Sequence, residues 1–217
     1  MIWVFLMSIK RTAYFILVLS LLFFIGTNRT LATSCPIDRE DYFCRSVEAY
    51  PQSQISEELF YLIPVKIYGL YQIQLTTLPY PFLFDFNWKS PFFGAGISHY
   101  ENQYKLMILG GTTRIEEFSQ DAYAALICHE LGHLIGGEPF QTIAGADWAS
   151  SEGQADFFAA SQCLPKYFAS LGLSKEQIFA RVEKAGHELV QSFMAIERGP
   201  EKDHNALLKY LNQSKRH

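Results

Sequence analysis

Positive charge is scarce in this sequence, and so are internal repeats, low-complexity tracts and the composition shifts that would mark a linker. Its 217 residues carry 18 Lys and Arg against 22 Asp and Glu. Three of the basic ones, Lys10, Arg11 and Arg29, lie in an N-terminal segment that reads as a removable leader; without them 15 basic residues face 22 acidic ones, a net of −7. Nucleic acid is therefore not an expected partner, because no basic excess is left to neutralise phosphates. A full-length apolar span is also missing: the run from Ala13 to Ile25 falls short of the roughly 20 residues a membrane helix needs. Preceded by Lys10 and Arg11 and followed by Thr30, Leu31 and Ala32, that run has the layout of a signal peptide, residues 1–32, cut after Ala32. The expected address is the periplasm or the exterior. An uncleaved leader or a lipidated Cys35 would instead tie the protein to a membrane. With no linker to divide them, residues 33–217 are expected to form one domain, and 15% aromatics with low overall charge argue for a packed core.

Cysteines number only four, all beyond the leader. Export would place them where disulfides persist. Two bridges allow three connectivities. Cys35 and Cys44 are close in sequence, and Cys128 and Cys163 each adjoin a chemistry-bearing segment, so pairing in that order is expected. Cys128 directly precedes His129 and would lie about 100° round a helix from it, which sets it apart from the metal-binding face.

From Cys35 to about Ser56 the chain mixes charge, proline and small polar residues, as in a loosely structured lead-in. Leu59 to Leu78 is rich in Tyr, Ile, Leu and Val, and Pro79, Pro81 and Pro91 punctuate the aromatic segment that follows, so strands joined by turns are expected. Tyr104 to Leu109 is a further strand, ended by Gly110 and Gly111. Helices come next. Ser119 can cap one that runs through His129 and His133 to Gly136 and Gly137; Ser151 can cap a second, from Glu152 to Leu164, stopped by Pro165; Ser174 with Gln177 forms a capping box for a third.

The chemistry lies in His129, Glu130, Leu131, Gly132 and His133, an HExxH pattern. On a helix the two histidines are about 40° apart around the axis and one turn apart along it, so one metal ion can touch both. Zinc is the expected ion, a single catalytic Zn2+. Two imidazoles and a carboxylate leave a fourth position for water, which zinc acidifies and which Glu130 would deprotonate as it attacks a carbonyl. The third protein ligand is expected to be Glu152, which opens a helix 18 intervening residues after His133, room enough for a loop and a return. Asp156, one turn further on, would accept the free ring N–H of a zinc histidine and fix its tautomer.

HExxH, 18 residues, then Glu resembles the gluzincin metallopeptidases, of which the thermolysin-like and aminopeptidase members space the third ligand similarly. Glu152, Gly153, Gln154, Ala155 and Asp156 also look like the ExxAD motif of zinc peptidases related to the HtpX and Ste24 families. The resemblance covers roughly residues 100 to 165. It implies an α+β, zincin-like fold in which a small sheet lies over the active-site helix and a second helix carries the third ligand. It also implies that the strand before that helix, Tyr104 to Leu109, lines the cleft and pairs with an extended peptide. The glycine-rich exopeptidase motif of the aminopeptidases is absent, since Gly94, Ala95, Gly96 and Ile97 match it only at the first two places.

The metzincin pattern fails as well, because Pro139, which has no coordinating group, stands where a third histidine should be. His187 falls opposite the Ile178, Val182, Ala185 and Leu189 stripe and reads as a surface residue; His99, His204, Tyr100 and Tyr123 carry no pattern of their own. The expected function is zinc-dependent hydrolysis of peptide bonds in a peptide or protein substrate. A non-catalytic zinc-binding structural or interaction protein that retains the fold is the alternative.

Overall fold

The computed structural model describes residues 44–45, 53–115 and 118–198, with side chains to residue 194. The leader, residues 1–32, and Cys35 lie outside the described residues. Cys44 is disulfide-bonded and buried, and its bridge to Phe92 docks it beside the segment after the first strand. Among the described residues no helix is long and apolar enough to cross a membrane.

The architecture is α+β: helix α1 (Glu57–Thr76), strands β1 (Phe82–Asn87), β2 (Ala95–Tyr100) and β3 (Gln103–Leu109), then helices α2 (Gln120–Ile135), α3 (Glu152–Phe158), α4 (Leu164–Ser170) and α5 (Lys175–Arg198). A short 3-10 turn, Gly110–Arg114, links β3 to α2, and a π-helical turn, Ala159–Cys163, links α3 to α4.

The strands expected within Leu59 to Leu78 are one helix. The β-branched and aromatic composition misleads there; the period decides. Phe60, Ile63, Pro64, Ile67, Tyr71 and Leu75 are the buried positions, spaced three and four apart, and Ser56 caps the start by accepting from Leu59 N–H. Pro64 sits inside this helix and has no N–H to offer the carbonyl of Phe60, four residues earlier. The phenol of Tyr123, buried in α2, donates to that carbonyl at 2.8 Å. A tertiary hydrogen bond thus offsets what proline removes, which no local pattern could indicate.

The sheet is mixed, in the order β1, β3, β2. β1 runs parallel to β3, and β2 runs antiparallel to it with Tyr100 opposite Gln103. Glu101 and Asn102 turn that hairpin with φ of 49° and 58°, the double left-handed conformation that matches strand twist. Tyr104, Leu106 and Ile108 face the core while Lys105 and Met107 alternate outward.

β3 is therefore the central strand, paired on both sides, and the expectation that Tyr104 to Leu109 offers its backbone to a peptide is corrected. Among the described residues the free edge beside α2 is β2's. Leu109 N–H donates to Gly94 O at 2.8 Å. Alternation from that pair directs the backbone groups of Ala95, Ile97 and His99 away from β3.

The helix expected to stop at Pro165 continues to Ser170. Proline is tolerated in the first turn of a helix, and Pro165 takes that place in α4 after the π-helical turn changes the hydrogen-bond spacing. Ser151 occupies the N-cap position of α3 without making a side-chain capping bond. The box at α5 is reciprocal: Gln177 accepts from Ser174 N–H at 2.8 Å, and Ser174 Oγ from Gln177 N–H at 3.3 Å. Ala185 is buried, with Ile178, Val182 and Leu189 packed against the core, while His187 is exposed. Arg181 of α5 forks onto Asp121 of α2, its Nε 2.8 Å from Oδ2.

Candidate metal centre

The centre is built on α2, whose start is fixed by Ser119 accepting from Ala122 N–H at 3.1 Å. Its end is fixed at Gly137, whose φ of +83° favours glycine. At about 100° per residue, three directions around this helix have separate tasks. Cys128 and Gly132 point one way, His129 and His133 the next, and Glu130 beyond them.

The Cys128 and Gly132 side packs on α3 and the turn that follows it. A Cβ on residue 132 would stand 2.8 Å from the Cα and carbonyl oxygen of Ala155, so only glycine allows the two helices to come this close. Cys128 is bonded to Cys163, with Cα atoms 5.6 Å apart and both residues fully buried. The expected bridge between the ligand-bearing segments is present.

This crossing brings the acids of α3 beside the histidines. His129 Nδ1 lies 2.8 Å from Asp156 Oδ1, and His133 Nδ1 lies 2.8 Å from the carbonyl of Ser150. Both partners are acceptors, so each Nδ1 carries the ring proton and each Nε2 presents a lone pair. The two Nε2 atoms are 3.1 Å apart. Glu152 Oε2 is 3.3 Å from the first and 3.5 Å from the second. Three acceptors converging in this way repel one another unless a cation or proton lies between them. Their ligand atoms all fall within 4.8 Å of one another, and the N, N, O set suits zinc. The residues present thus fit a metal ion.

Glu130 is buried on the side of α2 that faces β2. Burial pushes its carboxyl pKa up; the neighbouring His129 and His133 oppose that, Glu152 adds to it, and a backbone hydrogen bond from Ile97 favours the ionised form. Burial dominates. The Glu130 carboxyl therefore holds its proton to a higher pH than one in water.

Sequence reasoning located His129, Glu130, His133, Glu152 and Asp156, and the fold brings all five together. It missed three contributors. Ser150 acts through its carbonyl and Ile97 through its N–H, which any residue could supply. The third, Gln141, donates from Nε2 to Glu152 Oε1 at 3.2 Å from a loop with no periodicity to mark it. Pro139 contributes no ligand, and its carbonyl accepts from Ser151 N–H at 2.7 Å. His99 is not one of the converging ligand residues; its ring is 4.8 Å from those of Tyr80 and Tyr104 and 5.8 Å from that of Trp148.

No family model matches the chain, and neither a curated protein nor a solved structure is significantly similar to it.

Proposed function

We propose that this protein is a metal-dependent hydrolase, with His129, His133 and Glu152 holding the ion and Glu130 as general base. More narrowly, it is a zinc peptidase of the gluzincin type, exported and acting on a peptide or protein in the envelope or exterior. The observation that carries this reading is the convergence of two histidine Nε2 lone pairs and one Glu152 oxygen beside a separate, buried carboxylate. A structural zinc site closes with four protein ligands and needs no base. Among the described residues only three converge here.

Bound zinc would supply a Lewis acid that polarises the scissile carbonyl and acidifies water. The protein's own residues do the rest. Glu130 takes the proton from the attacking water and returns it to the leaving amine. Asp156 and the Ser150 carbonyl keep the imidazoles in the tautomer that faces the ion. The free edge of β2 passes Glu130 at Ile97, so an extended peptide laid along Ala95 to His99 would present its backbone beside the base. The small mixed sheet, its edge strand next to the HExxH helix, and the second ligand helix support a zincin-like fold.

Glu130→Gln tests the reading. The amide cannot accept the proton while all three ligands remain, so turnover of a diverse peptide library should fall about 10² to 10⁴-fold at unchanged zinc content. Near wild-type turnover would remove Glu130 from the reaction and favour a non-catalytic zinc protein.

A further inference from the structure

We propose that Gln141 is a positioning residue that holds Glu152 to one-oxygen binding of the metal; this rests on the metal-site reading above. The loop between α2 and α3 is closed by a short ladder. Phe140 bridges Ser150, Gln141 N–H donates to Ala149 O at 2.8 Å, and Ser151 N–H donates to Pro139 O at 2.7 Å. Ser150 also donates its N–H to His133 O at 2.8 Å and its Oγ to Gly137 O at 2.7 Å, which fastens the ladder to the end of α2.

On this base Phe140 points outward and is exposed, so Gln141, next along the strand-like segment, points the other way, toward Glu152. A carboxylate only accepts, so the amide must present its N–H₂. The contact takes Oε1, at 3.2 Å, and leaves Oε2 as the oxygen facing the two imidazoles. The Glu152 side chain is 71% exposed, and Gln141 is the partner that distinguishes its two oxygens. Without this restraint the carboxylate is free to turn both oxygens onto the ion. Two-oxygen binding would occupy the coordination position that a catalytic zinc site keeps for water and substrate.

The test uses the full chain with two variants, Gln141→Ala and the isosteric Gln141→Glu, which replaces the donor with a like charge. Zinc affinity is measured by chelator competition, the visible spectrum of the cobalt-substituted protein reports coordination number, and urea unfolding of the metal-free protein reports the loop. Both variants should bind zinc about 10 to 100-fold more weakly. The cobalt bands of Gln141→Ala should weaken as coordination number rises. Metal-free stability should be unchanged, because the backbone ladder does not need the side chain. Wild-type affinity and spectrum in both variants would overturn the proposal. So would a loss of metal-free stability large enough to account for the affinity change, since that assigns Gln141 to loop structure. Failure of the unsubstituted protein to bind zinc or cobalt would sink the metal-site reading before any variant is compared, and the proposal with it.

Discussion

Along α2 twelve of sixteen residues are buried, whereas along α3 only Ala155 and Phe158 are. The side chains of the candidate centre follow their helices: those of His129 and His133 are 17% and 10% exposed, those of Glu152 and Asp156 71% and 73%. One half of the centre is thus placed by the core, which packs α2 against α1, β2, α3 and α5. The other half depends on local restraints, namely the Gly132 and Ala155 contact, the Cys128 to Cys163 bond, and the hydrogen bonds of Asp156 and Gln141. Two histidines can be fixed by burial because neutral imidazole tolerates it. An anionic ligand such as Glu152 is costly to desolvate before an ion is present, so it is better held at the surface by covalent and close-packed contacts nearby.

The sharpest way to break this contrast is to cut the covalent restraint. Replacing Cys128 and Cys163 together by Ala releases a crosslink spanning 35 residues, for which loop-closure entropy gives about 4 kcal/mol, roughly a thousandfold in the unfolding equilibrium. Urea unfolding measures it. A loss below about 1 kcal/mol would mean that burial of α2 alone holds the helix pair together.

Next in size is the difference between the two exposed acids. Asp156→Ala should weaken zinc binding about 10 to 100-fold by freeing the His129 ring. Glu152→Ala, which removes an anionic ligand, should weaken it well beyond that. Chelator competition separates the two, with circular dichroism to establish that both variants are folded. Unchanged affinity in Glu152→Ala would mean that another residue completes the site, with Asp156 or Glu138 the next to examine.

The smallest effect tests the close approach itself. Gly132→Ala places a methyl group 2.8 Å from the Ala155 backbone, and neither helix has a flexible side-chain end there that could yield. We expect about 1 to 3 kcal/mol of destabilisation, as for other overpacked contacts. Zinc affinity should fall as well, since α3 must shift away from the histidines. Lower stability with full zinc affinity would show that α3 reaches the ion without this crossing.

The five chemistry-bearing residues were legible in the sequence because their spacing on ideal helices fixes direction: four residues put His129 and His133 on one side, and four more put Asp156 one turn beyond Glu152. The Cys128 to Cys163 pair was legible only because each cysteine adjoins a chemistry-bearing segment. A regular helix would put Cys163, 11 residues on, about 20° from Glu152, but the π-helical turn Ala159–Cys163 intervenes, and Cys163 is buried where Glu152 is exposed. α1 was not legible from its composition. Tyr, Ile and Val favour strands only as surfaces fit for a pleated sheet, and here burial at every third or fourth position overrode that preference. Pro165 misled in a related way, because a proline that ends one helical segment can equally open the next.

The sequence by itself determined which side chains could bind a metal and which could act as base, because periodicity within a helix is set by local backbone geometry. Tertiary structure alone decided which backbone groups serve them. That the Ser150 carbonyl faces His133, that β2 rather than β3 has the free edge, and that Tyr123 satisfies the carbonyl beside Pro64 all depend on segments distant in sequence meeting in space. Backbone N–H and C=O groups are the same in nearly every residue, so their pairing leaves no mark on composition or spacing.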